Sequence, residues 1–378
     1  MTIKRSIVVD FIKFSAGFWI NVWLFSYSIE NLLNTNDLTL FSLVLILVFQ
    51  LAAILLEIIQ NKKIYSFNYI DLAFLILFNY LTFNLIFISN LTFENIISLY
   101  LGSLIGYLIG RFSSIDTIFY FYKSLKFFIP IILGALLFYF YAFTKNPFNL
   151  PDFNRVGIGL GVGLLILYLL NKSVYSKLNI AYRIIFFTLG FIMWLLNIIV
   201  LTGRGSTIFT ISAFFFALII TKKIKFKSFI LFLALFLIFY IFLTTNSIMI
   251  QFFPWLKRFT ISGILNDPSV TGNYYFVGRL DLYKESLNLI SSSPLFGNGY
   301  FSIYSHNMIL ETLASYGFIG LFILILFLFE ISKKIYKLIK FNPNDEIISF
   351  VIACFLFTFF YYQTSFGWYS YKTFFFFS

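Results

Sequence analysis

Apolar runs of about 20 residues recur along the chain, each close to the length a helix needs to cross a hydrocarbon core roughly 30 Å thick. That repetition leaves few folds open. Inside a bilayer no water satisfies the backbone, so only helices and closed barrels cross it. Here the runs are continuous rather than alternating, which excludes a barrel. Only 11% of residues are charged, against about 25% in soluble domains. The mean hydropathy is +0.92. The expected fold is therefore an all-α polytopic integral membrane protein, a single membrane domain over residues 1–378. The runs place transmembrane helices at about 8–29, 38–59, 69–89, 94–110, 126–143, 155–170, 181–201, 206–221, 226–245, 307–331 and 347–367. That is eleven, or twelve if Tyr369–Phe377 forms a short or re-entrant segment. Val8–Ile29 is too long for the apolar region of a signal peptide, and no small-residue cleavage site follows it.

Basic residues orient the spans. Lys4, Arg5, Lys13, Lys62, Lys63, Arg111, Lys123, Lys126, Lys172, Lys177, Arg183, Lys222, Lys223, Lys225, Lys227, Lys333, Lys334, Lys337 and Lys340 all fall on one side if the spans alternate, 19 of the 27 Lys and Arg. Loops rich in Lys and Arg stay cytoplasmic, so the N-terminus is expected inside. The net charge of +12 is then a topology signal, with anionic headgroups as its partners. No basic run interleaved with base-stacking aromatics points to nucleic acid. Asp10, Lys13, Glu57 and Asp71, near span ends, are expected to snorkel towards the interface. The single Cys354 lies within a span, so neither a disulfide framework nor a thiol metal site is expected.

Most loops are short. The segment 246–305 is not, and it is expected outside as one large extracytoplasmic loop. Leu280, Tyr283, Leu287 and Ile290 recur at helical spacing within Gly278–Ile290, which predicts a short amphipathic helix. Ser291–Ser293 and Pro294 should end it, and Gly297 and Gly299 allow a tight turn leading to His306.

His306 is the one histidine of the chain, at an expected membrane boundary. An imidazole there can serve as a general base, or as a polar helix-end residue bonded to a carbonyl. Asn307 follows it, and Glu311 comes about one turn later, near enough to orient or pair with the ring. Arg204 lies between Gly203 and Gly205, and Ser206 and Thr207 open the next helix. Arginine beside the free N–H groups of a helix start suits phosphate, although a snorkelling arginine would read the same way. Arg279 is either a second anion clamp or a surface ion-pair partner of Asp281 or Glu285. Arg155 is either an anion contact or an interfacial anchor. Lys257 and Arg258 beside Trp255 read as interfacial. The GIGLGVG run at Gly157–Gly163 mimics a dinucleotide fingerprint, but no strand precedes it, so close helix packing is expected.

Together these segments resemble the O-antigen polymerase and ligase family of bacterial envelopes. The likeness is carried by Gly278–Phe322: an arginine-led helix at Arg279, the Pro-Leu-x-Gly-x-Gly turn at Pro294–Gly299, the His306–Asn307 pair, the Leu310–Glu311 step, and Gly317 with Gly320. The turn at Thr202–Phe209 resembles the family's Ser-Arg-Gly type turn, with Thr-Gly before Arg204 where serine is common. The resemblance implies sugar repeat units on undecaprenyl diphosphate as substrate, at the outer leaflet of the inner membrane, and metal-independent glycosyl transfer without a cofactor. The physical reading of the residues fits that chemistry: Arg204 and Arg279, with Arg155, are expected at the diphosphate, His306 as base, and Asn307, Glu311 and Ser206 in support. A chain-length regulator is an implied partner. Polymerase is the preferred reading, with the ligase that passes polymer to lipid A-core as the alternative. A lipid-linked oligosaccharide flippase would want polar residues at mid-membrane depth and internal repeats, and neither is evident.

Overall fold

The computed structural model describes residues 2–33, 38–61, 67–89, 92, 95–96, 99–113, 115–145, 155–175, 179–198, 204–227, 230–231, 234, 238, 241, 245, 275–300, 302–342, 345–363 and 372–378. The described residues are all-helical, with no strand among them. The helices are α1 (Thr2–Leu33), α2 (Leu38–Asn61), α3 (Tyr69–Phe87), α4 (Ile105–Phe112), α5 (Ile115–Ser124), α6 (Phe128–Lys145), α7 (Arg155–Tyr175), α8 (Ile180–Leu196), α9 (Arg204–Ile220), α10 (Tyr275–Ser292), α11 (Met308–Phe341), α12 (Glu346–Tyr361) and α13 (Lys372–Phe377). A π-helical turn, Tyr100–Leu104, runs into α4, and a 3₁₀ turn, Leu125–Phe127, joins α5 to α6.

Helices stand at ten of the eleven expected span positions, and most of the ninth, 226–245, lies outside the described residues. Among the described residues, four helical stretches are long and apolar enough to cross a membrane: Val8–Phe25, Tyr69–Phe87, Asp116–Gly134 and Met308–Phe341. Val44–Leu56, Gly159–Tyr175, Ile180–Leu196, Ser206–Ile220 and Glu346–Tyr361 are shorter apolar helices. The predicted loop helix is present as α10 and ends at Ser292, as the Ser-Pro sequence requires. The segment Tyr369–Phe377 contains α13, whose Phe374–Phe377 are buried against Phe74, Phe121, Phe327 and Phe355.

Packing follows small residues. Gly159 and Gly163 of α7 face Ser206 and Thr210 of α9, two equal four-residue steps. The two helices are therefore parallel and in register, with small side chains at the seam. A methyl group on Gly159 would lie 3.0 Å from the Ser206 Oγ, and one on Gly163 2.9 Å from the Thr210 hydroxyl. This is the close packing expected of the GIGLGVG run. α12 closes the other side, with Tyr361 and Phe357 against the same glycines.

Two of the snorkelling expectations are corrected. Asp71 takes a charge-assisted pair of bonds from Arg111, Nε at 2.5 Å and Nη2 at 3.0 Å, and a 2.7 Å bond from the Tyr107 hydroxyl. It also caps its own helix with Asn68 in a capping box. Lys13 of α1 reaches Asp116 of α5 at 2.5 Å. Lys172 meets Glu346 at 2.7 Å, while Glu346 also accepts from Tyr122. A charge partly withdrawn from water needs a partner more than it needs the interface, and neighbouring helices supply one. These three pairs join helices at one end of the bundle. The Glu57 side chain, and Trp255, Lys257 and Arg258, lie outside the described residues.

Candidate functional site

At the opposite end, α11 does not run straight. Gly317 interrupts it with φ 66° and ψ −169°, a conformation open only to glycine. An unbroken helix would bond the N–H of Phe318 to Ala314 and that of Ile319 to Ser315. The Pro294–Gly299 turn takes over each of those groups. Phe318 N–H donates to the Pro294 carbonyl at 2.8 Å and Ile319 N–H to Leu295 at 3.3 Å. In return, Asn298 N–H donates to Ala314 O at 3.0 Å and Gly299 N–H to Ser315 O at 3.1 Å. The loop thus replaces a turn of helix, which is how broken backbone is tolerated where water is scarce. Gly297 (φ 78°) and Gly299 (φ 106°) make the predicted tight turn. The Asn298 amide also donates to Leu289 O at 2.7 Å and its Oδ1 accepts from Ser292 at 2.9 Å. It therefore ties the end of α10, the helix that carries Arg279, to the break.

Above the break lies a half-helix, Met308–Tyr316. Asn307 is its N-cap and accepts from Ile309 N–H at 3.1 Å and Leu310 N–H at 3.0 Å. His306 precedes it with φ 55°, a left-handed conformation that histidine tolerates better than most residues. Its ring lies 4.0 Å, centroid to centroid, from that of Tyr304 and is half-buried. Glu311 is completely buried one turn below.

The last turn of α12 gathers the site. Met308 N–H donates to Tyr362 O at 3.1 Å, and the Asn307 amide donates to Gln363 O at 3.3 Å. The Tyr361 hydroxyl lies against Gly159, beside Ser206. Ser206 is buried and shares a 3.3 Å bond with Asn197. Three helix starts thus meet around 361–363: α7, led by Arg155; α9, led by Arg204; and the half-helix, led by His306. The positive ends of all three dipoles point to the same end of the bundle. The structure describes the backbone of Arg155, Arg204 and Arg279. It sets Arg155 and Arg204 at the starts of two helices packed in register, whereas Arg279 stands on α10, which packs against α11. Among the described residues, no group of His, Cys, Asp and Glu could hold a metal ion.

Reading the chain alone missed Tyr361–Gln363, Asn84 and Tyr80. Asn84 left a signal: it is an amide in the middle of an otherwise apolar run, where polar residues have a structural or functional reason to be. Tyr361–Gln363 left none, because tyrosines are common at span ends.

A helical bundle of this kind, with its chemistry-bearing groups at one end, is a polytopic membrane protein by its helices. Residues 189–325 match the family model described as O-antigen ligase, which supports the likeness to the O-antigen polymerase and ligase family. The match takes in Arg204, Ser206, Arg279, His306, Asn307, Glu311 and Gly317; Arg155, Asn84 and Tyr361–Gln363 lie outside it. No curated protein matches the chain.

Proposed function

We propose that the chain is a glycosyltransferase that joins oligosaccharide repeat units carried on undecaprenyl diphosphate, at the outer leaflet of the bacterial inner membrane. The observation that carries this reading is the meeting of the Arg204, Arg155 and His306 helix starts on the last turn of α12. Arg204 and Arg155, joined by Arg279 from α10, hold the donor diphosphate beside two helix N-termini. His306 takes the proton of the acceptor sugar hydroxyl. The oxygen then bonds to the anomeric carbon of the donor, and the bond from that carbon to the diphosphate breaks. Its electron pair leaves with undecaprenyl diphosphate, where the arginines stabilise the new charge. Direct displacement inverts the anomeric centre. Asn307 and Ser206 keep their helix starts in place, and Glu311 packs beneath.

The test is purified protein with the lipid-linked repeat as sole substrate. Elongated chains on undecaprenyl diphosphate are the expected result. Product formed only when lipid A-core is added would replace polymerase by ligase, and translocation without any new glycosidic bond would replace both by a flippase. A separate chain-length regulator is an expected partner in cells.

The reading also needs residues 246–305 outside and the N-terminus inside. Lys284 is exposed on α10 and Lys225 is exposed at the other end, while the native Cys354 is buried. A Lys284→Cys variant should react with an impermeant thiol reagent in intact spheroplasts, and Lys225→Cys only after permeabilisation. The reverse pattern would overturn the topology and the mechanism with it.

A further inference from the structure

The half-helix that carries His306 is held at both ends. Its upper end is fixed by Tyr362 and Gln363, close to the reacting groups. Its lower end is fixed where α11 breaks, and there α3 enters the arrangement. Asn84 of α3 is wholly buried. Its Nδ2 donates to Phe296 O of the turn at 3.0 Å and to Ser315 O of the half-helix at 3.3 Å. One turn earlier, the Tyr80 hydroxyl donates to Tyr316 O at 2.8 Å, the carbonyl that would otherwise accept from Gly320. At the end of α3, Ser89 Oγ accepts from Tyr300 N–H. All these bonds go to backbone groups of the turn and the half-helix.

We propose that Asn84 and Tyr80 are positioning residues: they clamp the Pro294–Gly299 turn to the broken helix and so set where His306 stands relative to the helix starts of Arg155 and Arg204. This deepens the glycosyltransfer reading and rests on it for the catalytic consequence. Three observations carry it. First, an amide in an apolar span is unfavourable unless its bonds offset the loss of water, and both bonds of this amide bridge two segments that are separate along the chain. Second, one of the carbonyls it holds, Ser315 O, is freed by the Gly317 break, and the other, Phe296 O, belongs to the turn docked there, so the amide ties the turn to the broken helix. Third, the half-helix spans only nine residues, Met308–Tyr316, so a shift at its foot is passed to its start with little damping. Neither side chain touches the arginines' helix starts or His306 in the described contacts. Their effect is exerted through the backbone.

The experiment compares Tyr80→Phe, Asn84→Leu and the double variant with the wild type. Tyr80→Phe keeps the ring and removes only the donor; Asn84→Leu keeps the branched shape and removes the amide. Hydrogen exchange read by mass spectrometry should rise about tenfold or more in 293–300 and 302–320, and stay unchanged in 105–113 at the far end. Turnover of the lipid-linked repeat should fall about 10–100-fold with KM within about threefold, because the diphosphate contacts are left in place. Unchanged exchange in 293–300 overturns the clamp. Raised exchange with normal turnover overturns its positioning role, and so does a parallel loss of turnover and donor affinity. If the wild type itself forms no glycosidic bond, the glycosyltransfer reading falls, and exchange in 302–308 alone decides whether α3 fixes the His306 segment.

Discussion

Replacing His306 by Ala is expected to lower glycosyl transfer by about 10²–10⁴-fold, the usual contribution of a positioned general base. The protein should still insert, purify and bind the lipid-linked donor, since the arginines proposed to hold the diphosphate lie on other helices. The backbone complicates the choice of substituent. His306 has φ 55°, where Ala is disfavoured and Asn is well tolerated. His306→Asn is therefore the cleaner variant: it keeps the turn and removes the base. Both variants should be inactive, with initial rates measured on purified protein. Activity within tenfold of wild type in His306→Asn would sink the base assignment. Glu311 would then be the rival base, since it lies one turn below in the same half-helix and is completely buried. A loss confined to Glu311→Gln would transfer the role to it.

Gly317→Ala should have the largest effect on the fold. The backbone there, φ 66° and ψ −169°, costs an L-residue about 1–3 kcal/mol on its own. The added methyl would also run into the Leu295 carbonyl and the Gly297 N–H. Those atoms belong to the turn that satisfies the broken helix, so they cannot withdraw without giving up the Phe318–Pro294 and Ile319–Leu295 bonds. A buried backbone group left without its partner costs about 1–3 kcal/mol more. The expected sum is roughly 3 kcal/mol or more, enough to lower the thermal midpoint of the purified protein by many degrees. Gly134→Ala is the matched control, because a methyl group there meets nothing within 4 Å. Equal midpoints for the two variants would show that the break in α11 is dispensable.

The chain itself determined where helices form. An α-helix satisfies its backbone within its own segment, so the length and continuity of each apolar run decide its existence, and ten of the expected span positions hold helices. The loop helix α10 and the glycine turn after it were legible for the same reason, since each depends on neighbours a few residues away, and the four-residue spacing of Gly159 and Gly163 marked a close-packing face without showing its partner. His306 and the motif around it could be singled out as unusual, but their surroundings could not be read. Gly317 sits inside an apolar run that continues on both sides, and only the turn docked against it explains why the helix breaks there. Asp71 meets an arginine 40 residues on, Lys13 an aspartate 103 residues on, and Asn84 two carbonyls more than 200 residues away. These pairings depend on how each helix is rotated and at what height it meets its neighbour. A helix such as α3, with apolar residues on every side and only a few polar ones, does not encode in its own pattern which neighbour each polar group will meet. The tertiary structure sets it, through the fit of small seams and the need of every buried polar group for a partner. That fit is what brings the starts of α7, α9 and the His306 half-helix together on the last turn of α12.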